Sequence, residues 1–393
     1  MKEQKSKKNT LILLSLGHSV NDICWFLVPL LLPLIREELQ FSYTDAGLIL
    51  TFFSIFILIF SIISGHLADL YEERKILSFG FLFTVVTVSF LFFTKTYLQI
   101  IVIFTLMGIG VSVFHPVGIA TLSKTWRKGI SFGLFEATGC TGILVMTFIF
   151  TPLVYSLGWR LTALVLAFPN LLLGLIFLLS KKSLRYKNTE TQLPASFNNN
   201  CSQSLKNIIK SKLLILFFVG RGLQILGTTA VISFIPLFGV DIRGLVPEKA
   251  SFFPTFIWMG AVSGGFISGV LSDYFSPLKI ILVLIIAVIP AIFIITLPFP
   301  LFVTVIFLIL IGFSHIGLWP VQNMWLGKVT SEKIRGKIFG GMISLVCLAQ
   351  ILSPLLFGFI ADKWGLVTSF RWTIIPILIA VFFLGVVAHG AET

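Results

Sequence analysis

Along most of the chain polar residues come only in short clusters, and between them run long stretches of Leu, Ile, Phe and Val. A stretch of about 20 apolar residues is the length that crosses a bilayer as a helix. Backbone groups in lipid must be paired within a helix or around a closed barrel. Barrel strands alternate apolar and polar positions, whereas these runs are apolar on every face, so they are read as helices. Twelve spans are expected: 10–35, 44–69, 75–94, 98–123, 129–155, 159–180, 212–238, 249–273, 278–298, 301–326, 336–361 and 367–388. The most polar long stretch, 181–211, is rich in Lys, Asn, Ser and Gln and divides six spans from six. The pattern predicts an all-α membrane protein. Its twelve transmembrane helices form two pseudo-symmetric six-helix bundles, 1–180 and 212–393, joined by a cytoplasmic linker at 181–211.

Composition sharpens this reading. Of the 393 residues, 56% are hydrophobic and 11% charged, against roughly 25% charged in soluble domains. The net charge of +13 does not point to nucleic acid, because the basic residues are spread over short connections between spans. Of the 29 Lys and Arg, 21 fall on the side of the N-terminal arm and central linker and 7 on the other. This bias places both termini and the linker in the cytoplasm, as an even number of spans requires. The apolar run after the basic N-terminus is too long for a signal peptide and lacks a small-residue cleavage site; it is the first span. Cys24, Cys140, Cys201 and Cys347 show no paired spacing, so neither a disulfide nor a metal site is expected. The sequon at Asn200 falls in the linker and carries no weight.

The two halves repeat. Gly65-His-Leu67-Ala-Asp69 ends the second span, and Gly269-Val-Leu271-Ser-Asp273 ends the eighth, 204 residues later. Gly108 and Pro116 match Gly312 and Pro320 at the same offset, and Trp159-Arg160 has a counterpart in Arg371-Trp372. Four landmarks in one order mark a duplication.

These residues resemble the signature of the major facilitator superfamily, which runs Gly-x-Leu-Ala-Asp and then a basic patch between the second and third spans. Gly65, Asp69 and Arg74 fit that signature, and Gly269, Asp273 and Lys279 fit its degenerate copy; Glu72 stands where the family usually has Gly. The resemblance covers the whole chain. It implies alternating access, two bundles rocking about a midplane site, with these six residues in the gates. Asp69 would pair with Arg74 or cap a neighbouring helix, and Gly65 and Gly269 would allow helices to approach closely. A narrower resemblance rests on Gly17-His18-x-x-Asn21-Asp22 and on Gly108-Ile-Gly110-Val-Ser112-Val-Phe114-His115-Pro116. These are similar to the fosmidomycin-resistance-like branch of drug exporters, although Phe135-Glu136 replaces that branch's Phe-Gln pair.

Ionisable residues inside the spans give the candidate chemistry. Asp22 and Glu136 are the two acids well inside them, Arg221 is the basic counterpart, and His18, His115 and His315 are also enclosed. Each is costly at mid-bilayer, about 3 kcal/mol or more, so such groups line polar cavities by default. His18, Asp22 and Trp25 share one helix face; Arg221, Gln224 and Thr228 share another; His315, Trp319 and Gln322 a third. At about 1.5 Å per residue the set falls in one layer. Asp22 and Glu136, with His18 and His115 as relays, are the candidate proton carriers. Asn21, Trp25, Arg221, Gln224, His315, Trp319 and Gln322 are the candidate substrate contacts, with Arg221 paired to an acid or holding an anionic group.

The expected function is a proton-coupled exporter of a small organic or drug-like molecule in a bacterial inner membrane. It would act as a monomer, with lipid, protons and substrate as partners and no cofactor beyond the proton gradient. An importer or facilitator of a small anionic metabolite stays open, as more remotely does a non-transporting receptor. No His-Glu-x-x-His, Gly-x-Ser-x-Gly or phosphate-binding loop is present, which speaks against an enzyme or an ATP-driven pump.

Overall fold

The computed structural model describes residues 2–125, 129–180, 212–330 and 332–392, the side chains of 2–8, 69, 123–125, 129–134, 332–337, 339–340, 343 and 392 excepted. The linker 181–211 and Cys201 lie outside the described residues, as does the side chain of Asp69. The described chain is all helix, with twelve crossings. In order, α1 is Lys2–Leu39, α2 Tyr43–Leu70 and α3 Glu73–Ser89; α4 is Tyr97–Ser112 continued by Phe114–Thr125. The helical stretch Gly129–Leu179 breaks at Gly158 (φ 73°, ψ 165°) into α5 (129–157) and α6 (159–179). A residue with a Cβ is strained at that φ, so glycine places the turn that returns the chain across the bilayer. Then follow α7 Lys212–Asp241, α8 Phe253–Tyr274, α9 Pro277–Ile295, α10 Leu301–Val329 and α11 Glu332–Trp364; α12 is Leu366–Trp372 continued by Ile374–Glu392.

Helix starts follow local chemistry. Ser42 and Asp45 form a reciprocal cap on α2, and Thr96 and Gln99 one on α4, each satisfying backbone N–H groups that a helix start leaves open. Large apolar side chains such as Ile62, Phe266 and Phe382 point outward, as a protein solvated by lipid requires.

The duplication is visible in the packing. A Cβ at Gly108 would lie 2.7 Å from the Phe53 carbonyl oxygen, and one at Gly312 would overlap the Ile257 carbonyl oxygen. Phe53 and Ile257 are themselves 204 residues apart, so α2 on α4 and α8 on α10 make the same backbone-close contact. In lipid such approach, rather than hydrophobicity, holds helices together. Gly65 and Gly269 behave otherwise. Their added Cβ atoms would sit 3.7 Å and 3.8 Å from Pro116 and Pro320, ordinary contact distances, so close approach does not explain these two glycines.

Between the halves, α2 packs on α11, α1 on α7 and α5 on α8. A Cβ at Gly47 would overlap the Pro354 carbonyl oxygen, and one at Gly358 that of Tyr43. At the end where α1 passes into α2, Arg36 Nη1 pairs with Asp241 at 2.5 Å, and Tyr43 Oη donates to the same carboxylate at 2.7 Å. Asp362, on α11, accepts from the backbone N–H groups of Tyr43 and Thr44 at 2.9 and 2.8 Å. Thr151 and Ser251 add bonds to Glu248 and Leu30 carbonyls at the same end. This latched end is opposite the end where the described chain starts.

Candidate functional site

A cavity of about 230 Å³ lies between the halves. Its wall comes from α1, α2, α4 and α5 on one side and α7, α8, α10 and α11 on the other; α3, α6, α9 and α12 contribute none of it. The helices that the duplication relates thus face each other across one space.

On the N-terminal wall, α1 carries His18 and Asp22 one turn apart, and α4 brings His115 against them. His18 Nε2 is 3.2 Å from Asp22 Oδ2, and His115 Nε2 is 3.2 Å from Asp22 Oδ1. His18 Nδ1 is 2.7 Å from the backbone oxygen of Phe135 on α5, whose ring stacks on the imidazole at 4.1 Å. α5 reaches this close because Gly139 faces the pair: a Cβ there would lie 2.7 Å from Asp22 Oδ2. Trp25 meets His115 edge-on at 5.3 Å. His18 is enclosed, while Asp22 and His115 reach the cavity.

This arrangement fixes protons. A carbonyl oxygen only accepts, so His18 Nδ1 carries hydrogen. A neutral imidazole then turns a bare Nε2 lone pair toward Asp22, and two acceptors at 3.2 Å repel. A favourable contact needs one more proton, on Nε2 or on the carboxyl. The ligand-type atoms of His18, Asp22 and His115 all lie within 4.8 Å of one another, the one such group found among the described residues. A proton between nitrogen and oxygen is enough to make this contact favourable.

The opposite wall is built differently. Arg221, 1% exposed, donates through Nε to Gln322 Oε1 at 2.5 Å and through Nη1 to Gln224 Oε1. Gln224 Nε2 donates to Thr228 Oγ1 at 3.0 Å, and Thr228 Oγ1 lies 3.0 Å from His315 Nδ1. Arg221 therefore pairs with neither Asp22 nor Glu136, and it does not line the cavity; His315, at the far end of this chain of bonds, does.

The remaining sequence candidates are placed as follows. Glu136 is exposed on α5, two turns from the cavity residue Ile143; it makes no hydrogen bond or ion pair with a described residue. Asn21 is buried with its Nδ2 unpartnered. Trp319 packs with Ile225, Met342 and Val346 rather than facing the cavity; from α10 the lining is Gly312, His315 and Ile316. In the gate motif, Arg74 Nε pairs with Glu72 at 2.6 Å and Nη1 donates to the Ser180 carbonyl. The guanidinium holds the Glu72 carboxyl below its ordinary range. Asp273 and Lys279 are exposed. Ser54, Thr229, Ser233, Trp258 and Gln350 line the cavity and were not singled out in sequence, although a lone Gln or Trp inside an apolar run is the available signal.

The family model of the Major Facilitator Superfamily matches residues 14–354. The chain belongs to that superfamily. It is therefore a multi-pass membrane transporter and not an enzyme. The uncharacterized MFS-type transporter YfnC of Bacillus subtilis (strain 168) is 20% identical over 384 residues, 96% of this chain and 90% of that one. The fosmidomycin resistance protein of Escherichia coli (strain K12) is 26% identical over 131 residues, 33% of this chain and 32% of that one. Among solved structures, a bacterial homologue of the human lysosomal transporter Spinster, inward-facing and unoccupied, superposes with a TM-score of 0.83. It is 16% identical, and the match covers 98% of this chain and 97% of that one. The nucleoside transporter NupG gives a TM-score of 0.76 at 13% identity, over 96% of this chain and 99% of that one. These likenesses carry the fold; the substrate does not follow from them.

Proposed function

We propose that this superfamily member is a proton-coupled exporter of a small organic molecule, with Asp22 as the proton-carrying acid between His18 and His115. The observation that carries the reading is the Phe135 oxygen on His18 Nδ1. It leaves the His18–Asp22 contact one proton short unless a proton is bound, in a group that reaches the shared cavity. Binding of substrate beside Asp22 and binding of the proton then exclude one another, which couples the two fluxes. The excess of Lys and Arg on the side of the N-terminal arm and central linker supports a cytoplasmic placement of that end, in what we read as a bacterial inner membrane. On that placement the latch closes the outer face, and the cavity serves the inner one. The partial likeness to a fosmidomycin resistance protein supports export as the direction. Glu136, on the same face of α5, is the second acid of the pathway, and the protein works as a monomer.

A rival reading, uptake of an anionic metabolite, draws on Arg221 having no carboxylate partner among the described residues. The cavity wall, however, holds an acid and no Lys or Arg.

The test is flux in reconstituted vesicles under an imposed proton gradient, with internal pH followed as candidate drugs, phosphonates and organic anions are added. Coupling predicts substrate-dependent proton movement in the wild type and its loss in Asp22→Asn or Glu136→Gln. Transport of a compound with no proton movement, unchanged in both variants, refutes it.

A further inference from the structure

The two walls of the cavity are electrically unlike, and the difference bears on what fits between them. One wall presents the Asp22 carboxyl. The other presents His315, behind which stands Arg221, a buried guanidinium with no carboxylate within reach among the described residues. A charge so enclosed is weakly screened, and its field extends along any polar path leading away from it.

Such a path exists, and its direction is fixed at the start. Arginine only donates, so Gln224 turns its oxygen to Arg221 and its amide nitrogen to Thr228. Thr228 Oγ1 accepts that bond. Its own proton has two acceptors in range, the Gln224 backbone oxygen at 3.1 Å and His315 Nδ1 at 3.0 Å. The positive charge behind the relay favours the second: a lone pair on the near nitrogen of His315 and N–H on the far one. His315 Nε2 makes no hydrogen bond with a described residue, and the ring lines the cavity. In this tautomer Nε2–H is the donor that the C-terminal wall offers to a bound molecule.

We propose that the cavity takes a dipolar ring compound, with a cationic or strongly donating end at Asp22 and an anionic or accepting end at His315. The body lies against the flat and apolar side chains of Trp25, Phe53, Ile257 and Trp258. The volume of about 230 Å³ is below the roughly 300–1,000 Å³ of drug-sized sites, which limits the class to metabolite-sized molecules. Arg221 acts as a positioning residue: it touches no substrate and sets the polarity of His315. This assignment rests on the reading of the cavity as the transport site. It also reconciles a guanidinium that has no carboxylate partner among the described residues with a wall that has no Lys or Arg.

Three probes of one shape separate the charges: phenylalanine, phenethylamine and 3-phenylpropionate. Their binding to the purified full chain in lipid nanodiscs is measured by calorimetry, without any gradient. Phenylalanine is expected to bind about tenfold or more tighter than either singly charged analogue, the scale of one lost polar contact. Asp22→Asn then weakens the two amines and leaves 3-phenylpropionate within about twofold, while Thr228→Val, which cuts the relay, weakens the two carboxylates and spares phenethylamine. Circular dichroism confirms that both variants remain folded. Equal affinities for the three probes, equal effects of both variants on all three, or no binding of phenylalanine overturn the proposal. Equilibrium binding needs no proton flux, so either outcome here leaves the vesicle test of proton coupling to be decided on its own.

Discussion

Asp362 sits on α11 yet caps a helix of the other half. Ser42 already serves Asp45 N–H at the start of α2, and Asp362 takes the two that remain, on Tyr43 and Thr44, with the Thr44 hydroxyl as a third donor at 2.5 Å. Replacing Asp362 by alanine removes all three acceptor contacts in the latched state and nothing in a state where the halves have parted. Loss of an N-cap costs about 0.5–2 kcal/mol, and loss of a carboxylate at a helix N-terminus about 0.3–1 kcal/mol. The bonds are partly solvent-exposed, so about 1–2 kcal/mol is the expected net. At 1.4 kcal/mol per factor of ten, the latched-to-open ratio falls about 5- to 30-fold. Asn at this position keeps an acceptor oxygen and produces a smaller fall. Spin labels at Lys95 and Val246, both exposed at this end on different halves, report the ratio as a distance distribution between electron spins. An Asp362→Ala protein that is folded and gives the wild-type distribution refutes the assignment of Asp362 as a latch.

Three further outcomes are expected. Gly312→Ala drives a methyl into the Ile257 carbonyl and lowers the melting temperature in detergent, at an overpacking cost of about 1–3 kcal/mol; Gly269→Ala, with ordinary contact distance to Pro320, leaves it nearly unchanged. Gly139→Ala pushes on Asp22 and His18 and impairs proton coupling more than it lowers stability, read by comparing vesicle proton flux with thermal unfolding. The Glu72 carboxyl is held below its ordinary range by Arg74, so the stabilisation from this pair is present at neutral pH and above. It is lost as pH falls through the lowered Glu72 pKa; Arg74→Gln moves the Glu72 titration, followed by carboxyl carbon resonances, back up.

The parts of the fold that depend on length and spacing were legible in the sequence. Bilayer thickness sets the runs, so the crossings are found by counting, including the one hidden in the continuous stretch that Gly158 divides. The offset of 204 between Gly108 and Gly312 reappears as the same contact with a carbonyl oxygen in each half. His18 and Asp22 are readable as neighbours because one helical turn forces it. His115 was a candidate by its depth, but its approach to Asp22 from α4 was not readable, because it depends on which helix faces meet; nor was the backbone oxygen at Phe135, which no residue identity announces. The partner expected for Arg221 was an acid or an anionic group of the substrate, since opposite charges invite pairing. The helix faces instead bring two glutamines, whose oxygens serve a guanidinium without neutralising it. Trp319 shares a face with His315 by spacing alone, yet a helix presents a sector wider than a small cavity can use.

The meeting of α2 and α11 at Gly47 and Gly358 has a consequence for how such a gate varies among relatives. Where two helices touch main chain to main chain, the seal is made by atoms that every amino acid possesses. Such a seal does not depend on which side chains surround it, so it sets no constraint on the cargo that the cavity admits. Two absent methyl groups keep the door shut, and a survey of tolerated substitutions would find the positions that carry the least chemistry to be among the least forgiving.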